Sequence, residues 1–139
     1  MKKYLFICML FPLALTACQS SSPRFVHLEQ PGYNHGKLYI YRPHNYKTAK
    51  VVYEVYAGDI KIGHIHNGQH IHKDLPFGIH KVHLKNAQAS INVPLRIDEI
   101  KCLRLTFNEQ QQPVLQKMLY EQCKVDILST KSSIVSNKH

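Results

Sequence analysis

Ile60-Lys61-Ile62-Gly63-His64-Ile65-His66-Asn67-Gly68-Gln69-His70-Ile71-His72-Lys73-Asp74-Leu75 is the stretch that decides the fold. β-Branched residues stand on both sides of Asn67-Gly68, a two-residue turn signal whose type I′ form requires positive φ at both centres. The expectation is a hairpin joining Ile60–His66 to Gln69–Leu75, with His66 opposite Gln69, Ile65 opposite His70 and His64 opposite Ile71. A regular hairpin of that register puts His64 and His66 on one face and His70 and His72 on the other.

Reading outward, the same grammar repeats. Lys37–Arg42 is rich in aromatic and branched residues and is stopped by Pro43, which has no N–H for a ladder. Val51–Ala57 alternates. Gly58-Asp59 turns the chain into Ile60, and Pro76-Phe77-Gly78 turns it again into Ile79–Lys85. Ala89–Leu95 and Ile100–Phe107 follow, then a polar loop from Asn108 to Pro113 and a strand over Val114–Leu119. Short strands at close spacing with turn residues between them predict an all-β domain, a small sandwich or barrel. Cys123 and Ile127 fall at helical spacing, so a short helix is expected over Tyr120–Leu128.

The N-terminus reads as an export signal. Lys2 and Lys3 precede an apolar run from Leu5 to Leu15, and Thr16 and Ala17 lead into Cys18. The run is shorter than the roughly 20 apolar residues that a membrane-spanning helix needs. Leu15-Thr16-Ala17-Cys18 resembles the lipobox of bacterial lipoproteins. That resemblance implies cleavage before Cys18 and acylation of its thiol, with acyl chains that hold the protein to the bacterial membrane. Gln19, where an aspartate is absent, implies by the same resemblance the outer membrane, with the protein facing the periplasm. The expected organisation is a signal peptide over 1–17, an anchor and linker over 18–35, a β-sandwich over 36–128 and a disordered tail over 129–139. An edge strand within Arg24–Leu28 is a further expectation.

Cys8 leaves with the signal and Cys18 is the anchor, so Cys102 and Cys123 remain for the exported domain. In an oxidising compartment they form either a disulfide or two buried thiols. Eighteen Lys and Arg against nine Asp and Glu give a net charge of +9, which suits a solvated basic surface or anionic partners. Nucleic acid is a poor partner, since no nucleic-acid-binding motif or dense Lys/Arg helix is present.

A wider likeness rests on Gly36-Lys37-Leu38-Tyr39-Ile40-Tyr41-Arg42-Pro43, with Val55-Tyr56-Ala57-Gly58, Ile62-Gly63, Asn67-Gly68 and Pro76-Phe77-Gly78-Ile79-His80. This pattern resembles an uncharacterised family of small bacterial lipoproteins that open with a Gly-x-Leu-Tyr-x-Tyr-Arg-Pro strand. The glycine-turn rhythm is also similar to small surface-layer sandwich modules named for a Pro-Glu-Gly-Ala motif, a tetrapeptide this chain lacks. Both likenesses imply fold and location; neither implies a catalytic mechanism.

Histidine is the unusual component: His64, His66, His70, His72, His80 and His83 fall within twenty residues. Residues two apart on a strand share a face, so His70, His72 and Asp74 form a possible ligand row for Zn, Cu or Ni. Asp59 is expected on that face too, and His64 and His66 form a second row. The alternatives are ordinary surface histidines or a cluster that gains charge below pH 6.5. Arg42 either receives a carboxylate or phosphate or donates to neighbouring carbonyls. No nucleophile elbow, phosphate loop or HExxH is present, and Asp98 and Glu99 are adjacent in a turn rather than paired, so no enzyme is expected. The sequence reading is a lipid-anchored, noncatalytic envelope module without a cofactor. Tyr39, Tyr41, Tyr53 and Tyr56 are its possible contacts to an envelope protein or glycan, and a metal-binding protein is the alternative.

Overall fold

A computed structural model describes residues 28–132. Its elements in chain order are β1 (His35–Tyr41), a 3-10 turn at Tyr46–Thr48, β2 (Tyr53–Ala57), β3 (Ile60–Ile65), β4 (Gln69–Pro76) and β5 (Gly78–Leu84). These are followed by β6 (Ser90–Leu95), β7 (Ile100–Phe107), β8 (Pro113–Met118), α1 (Tyr120–Ile127) and β9 (Lys131–Ser132). Two sheets pack face to face: one of order β8-β7-β1-β4-β9, the other of order β3-β2-β5-β6. The all-β expectation holds as a sandwich with one short C-terminal helix.

β1 sits at the middle of the five-stranded sheet, antiparallel to β4 and parallel to β7. Its alternation is the organising pattern. Leu38 and Ile40 point between the sheets, where they join Val55, Ile65, Val82, Leu84 and Leu103 in the main core. Tyr39 and Tyr41 point to the other side, where they join Leu28, Cys102, Cys123 and Ile127 under α1. A strand buried on both faces carries apolar or aromatic groups at every position, which is how Leu38–Tyr41 reads. Gly36 lets β1 run close to the opposite sheet: a Cβ there would lie 2.4 Å from Leu95 Cγ and 2.5 Å from the Arg96 carbonyl. Pro94 stands on β6, an edge strand, where its missing N–H costs no ladder bond.

Cys102 on β7 is bonded to Cys123 on α1, with Cα atoms 6.2 Å apart. The bridge pins the helix across the five-stranded sheet.

Three expectations need correction. First, β3 and β4 do not form a hairpin: β3 pairs with β2 and β4 pairs with β1, in different sheets. Only Gly68 of the turn has positive φ (+68°), so the type I′ geometry that closes a two-stranded ladder is not made. Asn67 instead accepts a hydrogen bond from the Asn45 backbone (2.8 Å), tying the corner to the segment after β1. A bulge opposite Val55 and Tyr56, with Gly63 at φ +156°, lets Ile62 and Ile65 both face the core and breaks the simple alternation. Second, the linker does not extend to residue 35. Leu28 is buried among Tyr39, Cys123 and Ile127 and the Gly32 N–H bonds Asp74, so 28–34 is a strap tied to the sheet at these points, with Tyr33 exposed. Third, the chain does not lose structure at Ser129. Thr130 and Lys131 dock on β4, and β9 adds a parallel partner at Gln69 and His70. The signal peptide, Cys18, the suggested strand before Leu28 and residues 133–139 lie outside the described residues.

Candidate functional site: the tyrosine and histidine face and the Arg42 cage

The register of β1 on β4 builds a cross-strand ladder on the outer face of the five-stranded sheet: Tyr41 beside His70, Tyr39 beside His72 and Lys37 beside Asp74. Paired residues on one face of a sheet are within side-chain reach, and Tyr39 with His72 and Lys37 with Asp74 make such contacts. The His72 ring lies 4.8 Å from that of Tyr39. The Tyr39 hydroxyl accepts from the Glu29 N–H at 2.7 Å. Tyr41 donates to Asp126 Oδ2 of α1 at 2.5 Å, and the His70 Nδ1 lies 2.8 Å from the Thr130 hydroxyl. The strap and the C-terminal segment therefore lie across this ladder and take up its polar groups.

Lys37 is buried at 5% exposure and carries its ammonium between two carboxylates, 3.2 Å from Glu29 Oε2 and 3.4 Å from Asp74 Oδ1. A buried charge without such partners would be strongly disfavoured. Asp74 also receives the Gly32 N–H at 3.1 Å. Burial pushes the pKa of His70 down, and the neighbouring His72 adds to this. Burial likewise lowers His72; Lys37 reinforces that, against the opposing pull of Glu29 and Asp74. Both imidazoles are thus held toward the neutral form. Burial also raises Tyr39 and Tyr41, and for Tyr41 the Asp126 carboxylate raises it further, so both stay phenols.

His64 belongs elsewhere. On the outer face of the other sheet its Nε2 lies 3.0 Å from Glu54 Oε1, with Lys61 and Lys85 within 3.5 Å of the same carboxylate. Partial burial pushes Glu54 up, but hydrogen bonds from Tyr56, His64 and Lys85 and the charge of Lys61 more than reverse that and hold it at about 2. His83 stacks on Tyr56 at 5.6 Å, and His80 bonds the Pro76 carbonyl. His66 is exposed at the corner.

The structure thus brings His70, His72 and Asp74 onto one strand face and separates them from His64, His66 and Asp59. Asp59 lies in the β2–β3 turn of the other sheet, so the expected common face is corrected. Lys37 already stands against Asp74, and Thr130 against His70. Among the described residues no three His, Cys, Asp or Glu side chains come together to hold a metal ion.

Arg42 is fully buried at the end of β1. Its Nη1 donates to the carbonyls of Val51 (2.6 Å) and Ile65 (3.2 Å), and its Nη2 to that of Thr48 (2.7 Å). The guanidinium carbon lies 5.6 Å from the Tyr53 ring centre and 5.3 Å from that of Phe107. Burial lowers its pKa. One planar cation thereby ties the chain after β1, the start of β2 and the end of β3 to one point, with aromatic rings closing the cage. Of the two uses open from sequence, the side chain's terminal nitrogens are spent on carbonyls.

No family model, curated protein or solved structure matches the chain.

Sequence reasoning missed Glu29, Lys37, Asp126 and Thr130. Glu29 lies in a stretch whose Pro and Gly read as linker, and Thr130 in one whose polarity reads as tail. Lys37 had one signal: an odd-numbered place in line with Tyr39 and Tyr41 on a strand.

Proposed function

We propose that the chain is a lipid-anchored envelope protein that acts through noncatalytic binding and is held to the bacterial membrane by acyl chains on Cys18. The observation that carries the reading is the ordered series of Lys2-Lys3, the apolar run to Leu15 and Leu15-Thr16-Ala17-Cys18. A bond between Cys102 and Cys123 supports it, because such bridges persist in exported proteins and are rare in reducing compartments. The likeness of Gly36–Pro43 to small bacterial lipoproteins supports it as well. Gln19 favours the outer membrane. From Cys18 to Leu28 the chain can reach at most about 35 Å, so the domain works close to the bilayer surface. The polar groups of the tyrosine and histidine face are engaged within the fold, which suits a framework rather than a reacting centre.

The test is expression of the full chain in a bacterium, followed by membrane fractionation and intact mass measurement. The reading expects a chain shortened by the signal, heavier by its acyl groups and found with the outer membrane, while Cys18→Ala stays unprocessed. A wild-type product that is soluble and carries no acyl mass would sink it.

A further inference from the structure

At the Arg42 end of the sandwich a cleft of about 580 Å³ opens between the β5–β6 turn, the β7–β8 turn and the start of β2. Its volume falls within the roughly 300–1,000 Å³ typical of small-molecule sites. The composition of its walls is what distinguishes it. Asn86, Gln88 and Gln112 bring carboxamides, Ala87 and Ala89 bring methyl groups, and Tyr53 brings an aromatic ring. No Lys, Arg, His, Asp or Glu is among the described residues that line it, on a chain of net charge +9. A second cleft, of about 390 Å³, shows the contrast, with Asp59, Lys81 and His83 in its wall.

The walls are held in place before any ligand arrives. Asn108 Oδ1 accepts from the N–H groups of Gln110 (3.0 Å) and Gln112 (2.9 Å), and its Nδ2 donates to Gln112 Oε1 (3.2 Å). The opposite turn is closed by the Leu84 N–H on the Ala89 carbonyl (3.2 Å). Tyr53 is backed by the Arg42 guanidinium and by Phe107, whose ring centre is 6.1 Å away. Groups fixed in advance lose less freedom on binding.

We infer that this cleft binds an N-acetylated glycan. An uncharged wall gives no preference to phosphates or carboxylates, whereas carboxamides both donate to and accept from hydroxyl and acetamido groups. Tyr53 offers a flat face to the C–H side of a sugar ring, and the methyls of Ala87 and Ala89 suit an acetyl methyl. The cleft is walled chiefly by two turns, with only Tyr53 and Pro113 from strand ends, so it offers no ladder for an extended peptide. Arg42 is a positioning residue here, holding the ring that the ligand meets. The inference rests on the envelope reading, since export is what brings such a glycan within reach.

The experiment is calorimetric titration of the mature chain, purified in mild detergent, with the N-acetylglucosamine trimer, beside the glucose trimer and a peptidoglycan stem peptide. The expected result is saturable binding of the acetylated trimer at about millimolar affinity or tighter. It should weaken at least about tenfold in Gln88→Ala/Gln112→Ala, whose exposed side chains leave the core untouched, and in Tyr53→Ala, while Tyr53→Phe retains it. Absence of saturable binding, equal affinity for the unacetylated trimer, insensitivity to the variants, or binding of the stem peptide alone would each overturn it. Acylation of Cys18 is measured separately by mass, so failure of the glycan inference and failure of the anchoring proposal are distinguishable.

Discussion

Replacing Arg42 by methionine tests the cage directly. The methionine fills much of the same volume but leaves the carbonyls of Val51 and Ile65 without their guanidinium donor, while the Thr48 carbonyl keeps the Val51 N–H at 3.1 Å. A buried acceptor left unpaired costs about 1–3 kcal/mol, so two give a gross loss of roughly 2–6 kcal/mol. Against this, the variant no longer has to desolvate a guanidinium, a penalty of several kcal/mol. The balance is a destabilisation of about 1 kcal/mol. With a urea dependence of about 2 kcal/mol per molar, the unfolding midpoint should fall by about 0.5 M. Arg42→Lys is the informative companion. It keeps the charge, yet one compact ammonium cannot reproduce the planar fork that reaches all three carbonyls, so it should lose about as much. The assay is urea unfolding of the mature chain followed by circular dichroism and tyrosine fluorescence. If both variants unfold within about 0.3 M of the parent, the cage does not hold the corner together and the reasoning fails.

Two further outcomes follow from the described contacts. Removing the Cys102–Cys123 bridge by Cys102→Ala/Cys123→Ala frees a loop with a sequence separation of 21, so stability should drop by roughly 3 kcal/mol; a change below about 1 kcal/mol in the same urea assay counts against that reading. His70 and His72 have folded pKa values below the ordinary 6.5, so the unfolded chain binds more protons as the solution is acidified. Their contribution is complete above pH 6.5 and is lost as pH falls toward the folded values. The urea midpoint should therefore decline between about pH 7.5 and 5.5, and His70→Gln/His72→Gln should flatten that decline. A parent midpoint that is constant across this range would refute it. Glu54, held at about 2, and Glu99, also lowered, lose their contributions only below the ordinary 4.5, outside this window.

The strands were legible because their signals are local. Ile100–Phe107 has the predicted bounds, and the alternation of Leu38 and Ile40 with Tyr39 and Tyr41 is visible in the order of the residues alone. Pairing was not legible. Asn67-Gly68 is a strong local turn, but whether the next strand folds back on its neighbour or crosses to the other sheet depends on what β1 and β2 offer, which is non-local. The histidines were conspicuous and the strand face of His70, His72 and Asp74 was readable. Their surroundings were not, because Glu29, Lys37 and Thr130 reach them only through the fold. Leu28 and Lys131 were hidden by composition: polar, Pro- and Gly-containing flanks look the same whether they pack or not.

The place of β1 also sets an order of events at birth. Among the described strands it is the first to be made, and its antiparallel neighbour β4 follows soon after, but its parallel neighbour β7 begins about 60 residues later, at Ile100 opposite Lys37. At roughly 5–20 residues per second, β1 waits several seconds for that edge to be filled. During this interval Leu38, Tyr39, Ile40 and Tyr41 present sticky surface with no permanent cover. On the proposed export, the same order is repeated as the chain emerges across the membrane, where β1 again precedes its β7 partner.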